Sequence, residues 1–272
     1  MLLRSSLLFA LLALPSIGRT AHVRAPTHAW TVDFAEAQCL AVRDYGTPEN
    51  PVQLVLKAPA IGDVIQVSII REASWTGATQ VAGRVAIDGA RPFEISILTH
   101  SPRHSKFRVY SINMTATQFA LVRQASELSV RTDGLDERLA LTQMTPLLRV
   151  VDRCVTDLRQ VFNVTDSATG ETSRLQRRAT TTTNLATLFS SDDYPTVALR
   201  EDQSGTVKFV LMIDESGSVV DCTVTGTSGV AVLDSQTCVV LKLRAKFEPA
   251  LGPDGKPAKD AIRSRIIWKI AF

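Results

Sequence analysis

The alternation of apolar and polar residues divides the chain into two β-rich stretches. Between residues 28 and 162, QLVLKA, DVIQVSIIR, RVAI and FEISIL are short runs of β-branched and aliphatic residues spaced by Gly, Pro and Asn. Each reads as a strand. KFRVYSINM reads as a further strand, ATQFALVRQA as a short helix and ELSVRT as a strand again. The stretch closes on TPLLRVVDRCVTDLRQVF, a helix pattern in which Thr145 is placed to cap and Pro146 to occupy the first helical position. Leu147, Val150, Val151, Cys154, Leu158 and Val161 fall on one helical face, which turns Cys154 toward a core. The unit predicted is a mostly β domain over residues 28–163, a small sheet or partial barrel with capping helices.

The second pattern occupies residues 191–272. Val207, Phe209, Leu211 and Ile213 alternate as a strand with one buried face. Residues 214–217 (DESG) supply a turn, and Val220, Cys222 and Val224 form the buried face of a second strand. Ser228-Gly229 breaks it. A helix over residues 233–242 follows, with Asp234 at its cap or first turn, where a negative charge suits the helix dipole. GPDGKP at 252–257 is a turn. In the last strand Ile266, Trp268, Ile270 and Phe272 face one way, and Arg265, Ile267 and Lys269 the other. The fold class expected is α+β. Between the two patterns, residues 164–190 are polar, Thr-rich and without apolar period. They read as a flexible linker covering ~30 Å as a coil.

Ahead of both, MLLRSSLLFALLALPSIG has one Arg, an apolar run and Pro15 near its end. Residues 5–18 are uncharged, which suits a signal peptide and is short of the ~20 residues of a membrane span. A signal peptide over residues 1–25 and export to the periplasm are expected, with an uncleaved membrane anchor as the alternative. In an oxidising compartment the four cysteines should form two disulfides. Cys39 with Cys154 would tie the first strand of the first domain to its last helix. Cys222 with Cys238 would tie strand to helix in the second.

Several chemistries find no support. No cysteine or histidine spacing matches a zinc site, and Pro102 argues against His100 and His104 sharing a helical face. There is no nucleophile elbow, no phosphate-binding glycine pattern and no paired-carboxylate arrangement, so neither an enzyme nor a bound cofactor or metal is expected. The net charge of +3, without a basic stripe and interleaved aromatics, gives no reason to expect nucleic-acid binding.

The carboxy-terminal motifs are more specific as an ordered set. Tyr194-Pro195, Gly205-Thr206-Val207, Ile213 with Gly217-x-Val219, Ser228-Gly229, Leu233-Asp234, Phe247-x-Pro249-Ala250, Gly255-Lys256-Pro257 and a terminal Ile-Trp-Lys-Ile strand come in the order of the TonB family's C-terminal domain. Residues 190–272 thus resemble that domain. The resemblance implies a three-stranded antiparallel sheet with helices on one face. It also implies a periplasmic location and strand addition at the sheet edge by the TonB box of an outer-membrane receptor. Residues 264–272 match the family's last strand, which makes its outward positions Arg265, Ile267, Lys269 and Ala271 the contact candidates. Tyr194 and Pro195 match the motif that precedes the domain.

The chain departs from the family elsewhere. A family transducer carries a membrane anchor and a long Pro-rich spacer. Here a signal-like leader, a folded domain and a Thr-rich linker stand in their place. The expected function is therefore that of a periplasmic TonB-like protein binding a receptor or other envelope protein, with a role in TonB-dependent transport. An anchored energy transducer is one alternative. An envelope scaffold that forms homodimers through the C-terminal sheet is another.

Overall fold

The computed structural model describes residues 22–73, 77–102, 104–165 and 174–270. The leader expected over residues 1–25 lies almost wholly outside the described residues, as do Ala271 and Phe272. No helix among the described residues is long and apolar enough to cross a membrane.

The first unit is one nine-stranded sheet: β1 (Thr31–Ala35), β2 (Gln38–Thr47), β3 (Asn50–Ala58), β4 (Ile65–Glu72), β5 (Ala78–Ile87), β6 (Phe93–His100), β7 (Phe107–Met114), β8 (Glu127–Thr132) and β9 (Leu135–Ala140). Their spatial order is β1-β2-β3-β4-β7-β6-β5-β8-β9, all antiparallel. The first described residues close it: Arg24 bridges to Leu139 on β9 and Pro26 to Tyr45 on β2. Period-two patterning drives the curl inward. Val52, Leu54, Leu56 and Ala58 alternate into the same interior as Val67, Ile69, Tyr110, Ile112, Leu128 and Leu139. The result is a partial barrel filled by side chains rather than a pore.

Two helices cap it. Helix α1 (Ala116–Arg123) starts on a capping box, Thr115 and Gln118 each accepting the other's backbone N–H. Helix α2 (Met144–Val161) begins before the expected cap, on Gln143 with φ of 61°, so Thr145 does not cap it. Pro146 is still tolerated because every N–H of a helix's first turn lacks an intrahelical partner. Leu147, Val151, Cys154 and Leu158 are buried, whereas Val150 and Val161, at the margins of the apolar stripe, are exposed. Cys154 is bonded to Cys39 on β2, with a Cα separation of 6.0 Å.

Strands β1, β2 and β9 lie outside the runs legible as strands. In β9, LDERLA, a carboxylate occupies an inward position: Glu137 is buried between Leu135 and Leu139 and meets Arg24 at 2.6 Å and Arg71 at 3.5 Å. A buried charge tolerated by paired arginines is invisible to a hydrophobic pattern.

The second unit contains β10 (Thr180–Thr181), α3 (Thr196–Arg200), β11 (Gly205–Ile213), β12 (Val219–Gly226), α4 (Ala231–Arg244), β13 (Phe247–Glu248), β14 (Ala250–Leu251), β15 (Pro257–Ala258) and β16 (Asp260–Trp268). Its sheet is three-stranded and antiparallel, in the order β12-β11-β16. Helix α4 covers one face, over Val207, Phe209, Leu211 and Ile213. It is longer than expected at both ends, and Asp234 lies in its first turn. Gly217 makes the β11–β12 turn with φ of 79°, and a Cβ there would sit 1.9 Å from the Phe247 carbonyl oxygen.

Residues 174–190 are not a free coil. Arg178 donates to Asp260 at 2.8 Å and to the Ala261 carbonyl oxygen at 2.8 Å. Ala179 is buried, β10 pairs with β13, and Leu185 enters the core. The polar composition concealed this because the stretch is held by ion pairs and short backbone ladders rather than by an apolar stripe.

The sheet's other face is covered in part. Val210, Met212 and Ala261 pack against Ala37, Ala60, Ile61, Leu158 and Phe162 of the first unit, beside the Cys39–Cys154 disulfide. Polar contacts surround this seam. Lys57 pairs with Asp221 at 2.8 Å, Lys259 with Glu36 at 2.9 Å, and Asn113 donates to Asp234 at 3.1 Å. The amides of Ala231 and Val232 at the start of α4 donate to Ser96 and Gln80 of the first unit. Gly62, at φ of 92°, lets its loop lie against Thr225, whose Cβ would be 2.7 Å from a Cβ at that position.

Candidate partner-binding edge

Strand β16 lies at one edge of the three-stranded sheet and pairs with β11 residue for residue from Asp260 to Trp268, without a register shift. Its start is occupied by Arg178. From Ile262 onward no described backbone pairs with its other side. A regular, unpaired strand offers a row of backbone donors and acceptors to an incoming chain.

The opposite edge is built differently. Strand β12 carries two bulges, where Val220 and Thr225 have no opposite residue on β11. The first explains why Val220 does not share the face of Cys222 and Val224. Val219 packs under the helix side and Val220 toward the first unit. Beside β12 runs a cleft of about 730 Å³ between the units, lined by amide and hydroxyl side chains such as Gln66, Gln80, Asn113 and Gln203. Bulges blunt an edge for pairing, so β16 is the edge suited to strand addition.

Tyr194 and Trp268 fix the far end of β16. The Trp268 indole N–H donates to Thr237 of α4 at 2.8 Å. Tyr194 and Phe189 stand edge-on to its ring, at centroid distances of 5.2 and 5.3 Å. The Tyr194 hydroxyl donates to the Gln203 carbonyl oxygen at 2.6 Å, and Pro195 leads into α3. Nearby, Asp193 accepts from Ser190 and forms a two-pronged pair with Arg244 at 2.6 and 2.8 Å. The Arg244 guanidinium, together with the Ser190 donors, holds the Asp193 carboxyl down at about 2. Cys222 and Cys238 are bonded, with a Cα separation of 5.4 Å, and join β12 to α4.

Arg265, Ile267 and Lys269 are exposed, while Ile266 and Trp268 are buried against α4. Lys269 lies just past the strand's last paired residue, and Ala271 falls outside the described residues. The sequence reading missed Arg263 and Lys208. Both are exposed on the face that carries Arg265: Lys208 lies directly opposite Arg265, and Arg263 opposite Val210. The alternation Arg263-x-Arg265-x-Ile267 was the available signal. Two asparagines join the units, Asn113 donating to Asp234 at 3.1 Å and Asn163 to the Lys259 carbonyl oxygen at 2.9 Å.

The second unit is thus a small α+β domain with one bulged edge, one edge that no described backbone pairs from Ile262 onward, and an aromatic anchor at Trp268. Residues 190–270 match the family of the Gram-negative bacterial TonB protein C-terminal, so the chain carries a TonB C-terminal domain over its last third. No curated protein and no solved structure matches the chain.

Proposed function

We propose that this chain is an exported envelope protein that binds a partner polypeptide by strand addition at β16, the partner being the TonB box of an outer-membrane receptor in TonB-dependent transport. The observation that carries this reading is the regular side of β16 from Ile262 to Trp268, which no described backbone pairs, within a domain that matches the TonB family. Main-chain hydrogen bonds supply affinity in this mode, and alternate side chains supply selectivity. The module acts as a binder rather than an enzyme, in a periplasmic location that follows from the leader read in the sequence.

Amide hydrogen exchange on the purified full chain tests it, with and without a synthetic TonB-box peptide. The expected outcome is slowed exchange confined to alternate β16 amides, whose N–H groups point away from β11. Protection that maps to β12 or to the cleft, or no protection at all, removes the reading. A second reading, self-pairing through the same edge, is favoured by the exposed Ile267 on it. It predicts a dimer by sedimentation and the same β16 protection without peptide.

A further inference from the structure

The open edge carries cations that nothing else in the described structure neutralises. Like charges placed directly opposite on neighbouring strands are destabilising. Three such pairs occur among the described residues, and two of them are provided for. Arg84 faces Arg131, with Glu94 at 3.8 Å from the first and Asp136 at 3.1 Å from the second. Arg71 faces Arg108, with Glu137 at 3.5 Å from Arg71, while Arg108 lies over the Tyr110 ring. Lys208 faces Arg265 with no carboxylate on either among the described residues, and Arg263, two positions along the same face, has none either.

The first unit sharpens the contrast. It covers this face over Val210, Met212 and Ala261 and stops short of Lys208, Arg263 and Arg265. The charges are therefore left on the part of the face that adjoins the free side of β16. A strand added there would place every second side chain beside Arg263, Arg265 and Ile267, and the intervening ones on the α4 side.

We propose that Arg263 and Arg265, backed by Lys208, select the partner: an extended polypeptide segment with acidic side chains two positions apart and an apolar residue at the next same-face position, opposite Ile267. This rests on the strand-addition reading above and adds the charge pattern of the segment that β16 accepts. The carboxylates supply the counter-charge that the Lys208–Arg265 pair lacks.

The test uses the full chain and three nine-residue peptides of sequence Thr-Thr-X-Thr-X-Thr-Val-Thr-Thr, with X as Glu, Ser or Lys. Binding is read by fluorescence anisotropy and by exchange of β16 amides. The Glu peptide should bind about tenfold tighter than the Ser peptide, and the preference should fade in high salt. In the double variant Arg263→Glu/Arg265→Glu the preference should reverse toward the Lys peptide. Equal binding of the Glu and Ser peptides, with β16 protected in both, overturns the charge inference and leaves strand addition standing. Absence of binding and of β16 protection with all three peptides overturns both. Binding to phosphatidylglycerol vesicles that the double variant loses, without a Glu-peptide preference, assigns the cations to a lipid surface and overturns the inference. Folding of the variants is checked separately. Arg265→Glu alone should raise the thermal midpoint at low salt by giving Lys208 an opposite charge, and a lowered midpoint shows that Arg265 already has a partner and overturns the inference.

Discussion

Asp193 shows how a single residue ties the TonB-like motif region to the helix behind the sheet. Its carboxyl is held at about 2, below the ~3.9 of an unfolded aspartate, chiefly by the Arg244 pair. A depressed folded-state value means that this contribution is present above about pH 4.5 and is lost as pH falls toward 2. The thermal midpoint of Asp193→Asn should therefore lie below wild type at pH 7, and the gap should close between about pH 4.5 and 2. A gap independent of pH would mean that the charge of Asp193 plays no part. Tyr194 belongs to the same cluster. Tyr194→Leu removes the edge-on contact to Trp268 and the hydrogen bond to Gln203, a loss of about 1–3 kcal/mol by urea unfolding. Tyr194 was legible as a motif residue, but its place on the Trp268 ring was not, because the two are far apart in sequence.

At the scale of elements, the strands with clean alternation were legible, and the exceptions have physical causes. Strand β9 hides a buried ionic cluster at Glu137, and β12 hides two bulges that move Val220 off its expected face. The start of α1 at Ala116 was legible, whereas the starts of α2 and α4 lie two residues earlier than expected, since cap geometry depends on groups outside the local sequence. Helix α4 is an instance: its first amides meet Ser96 and Gln80 from the other unit. Its disulfide to β12 closes a loop with a sequence separation of 16. In the loop-entropy account such a closure contributes about 3 kcal/mol. Cys222→Ser/Cys238→Ser should lower stability by about that amount in denaturant titration. A much larger loss would show that the bond also positions α4 against the sheet.

For the whole molecule, the seam between the units makes them interdependent. The FVLMI run of β11 is apolar without interruption because both faces are covered, by α4 and by the first unit. Lys57 and Asp221 are nearly buried in that seam. Lys57→Ala leaves the Asp221 carboxylate without its cation and should cost about 3–5 kcal/mol. Replacing both residues by apolar ones should recover most of the loss. Calorimetry of the wild type should show one cooperative transition across both units, and two separated transitions would show that the seam does not couple them.

The sequence by itself determined the α+β class, the order of the carboxy-terminal motifs, the even cysteine count and the alternation of the last strand. These are properties of local period and residue type. Only the tertiary structure decided that the Thr-rich stretch over 174–190 is pinned to β16, that the first unit covers part of the sheet's second face, and that Lys208 meets Arg265 with no acid between them among the described residues. Those facts depend on which distant residues become neighbours, and one-dimensional patterning carries no record of that.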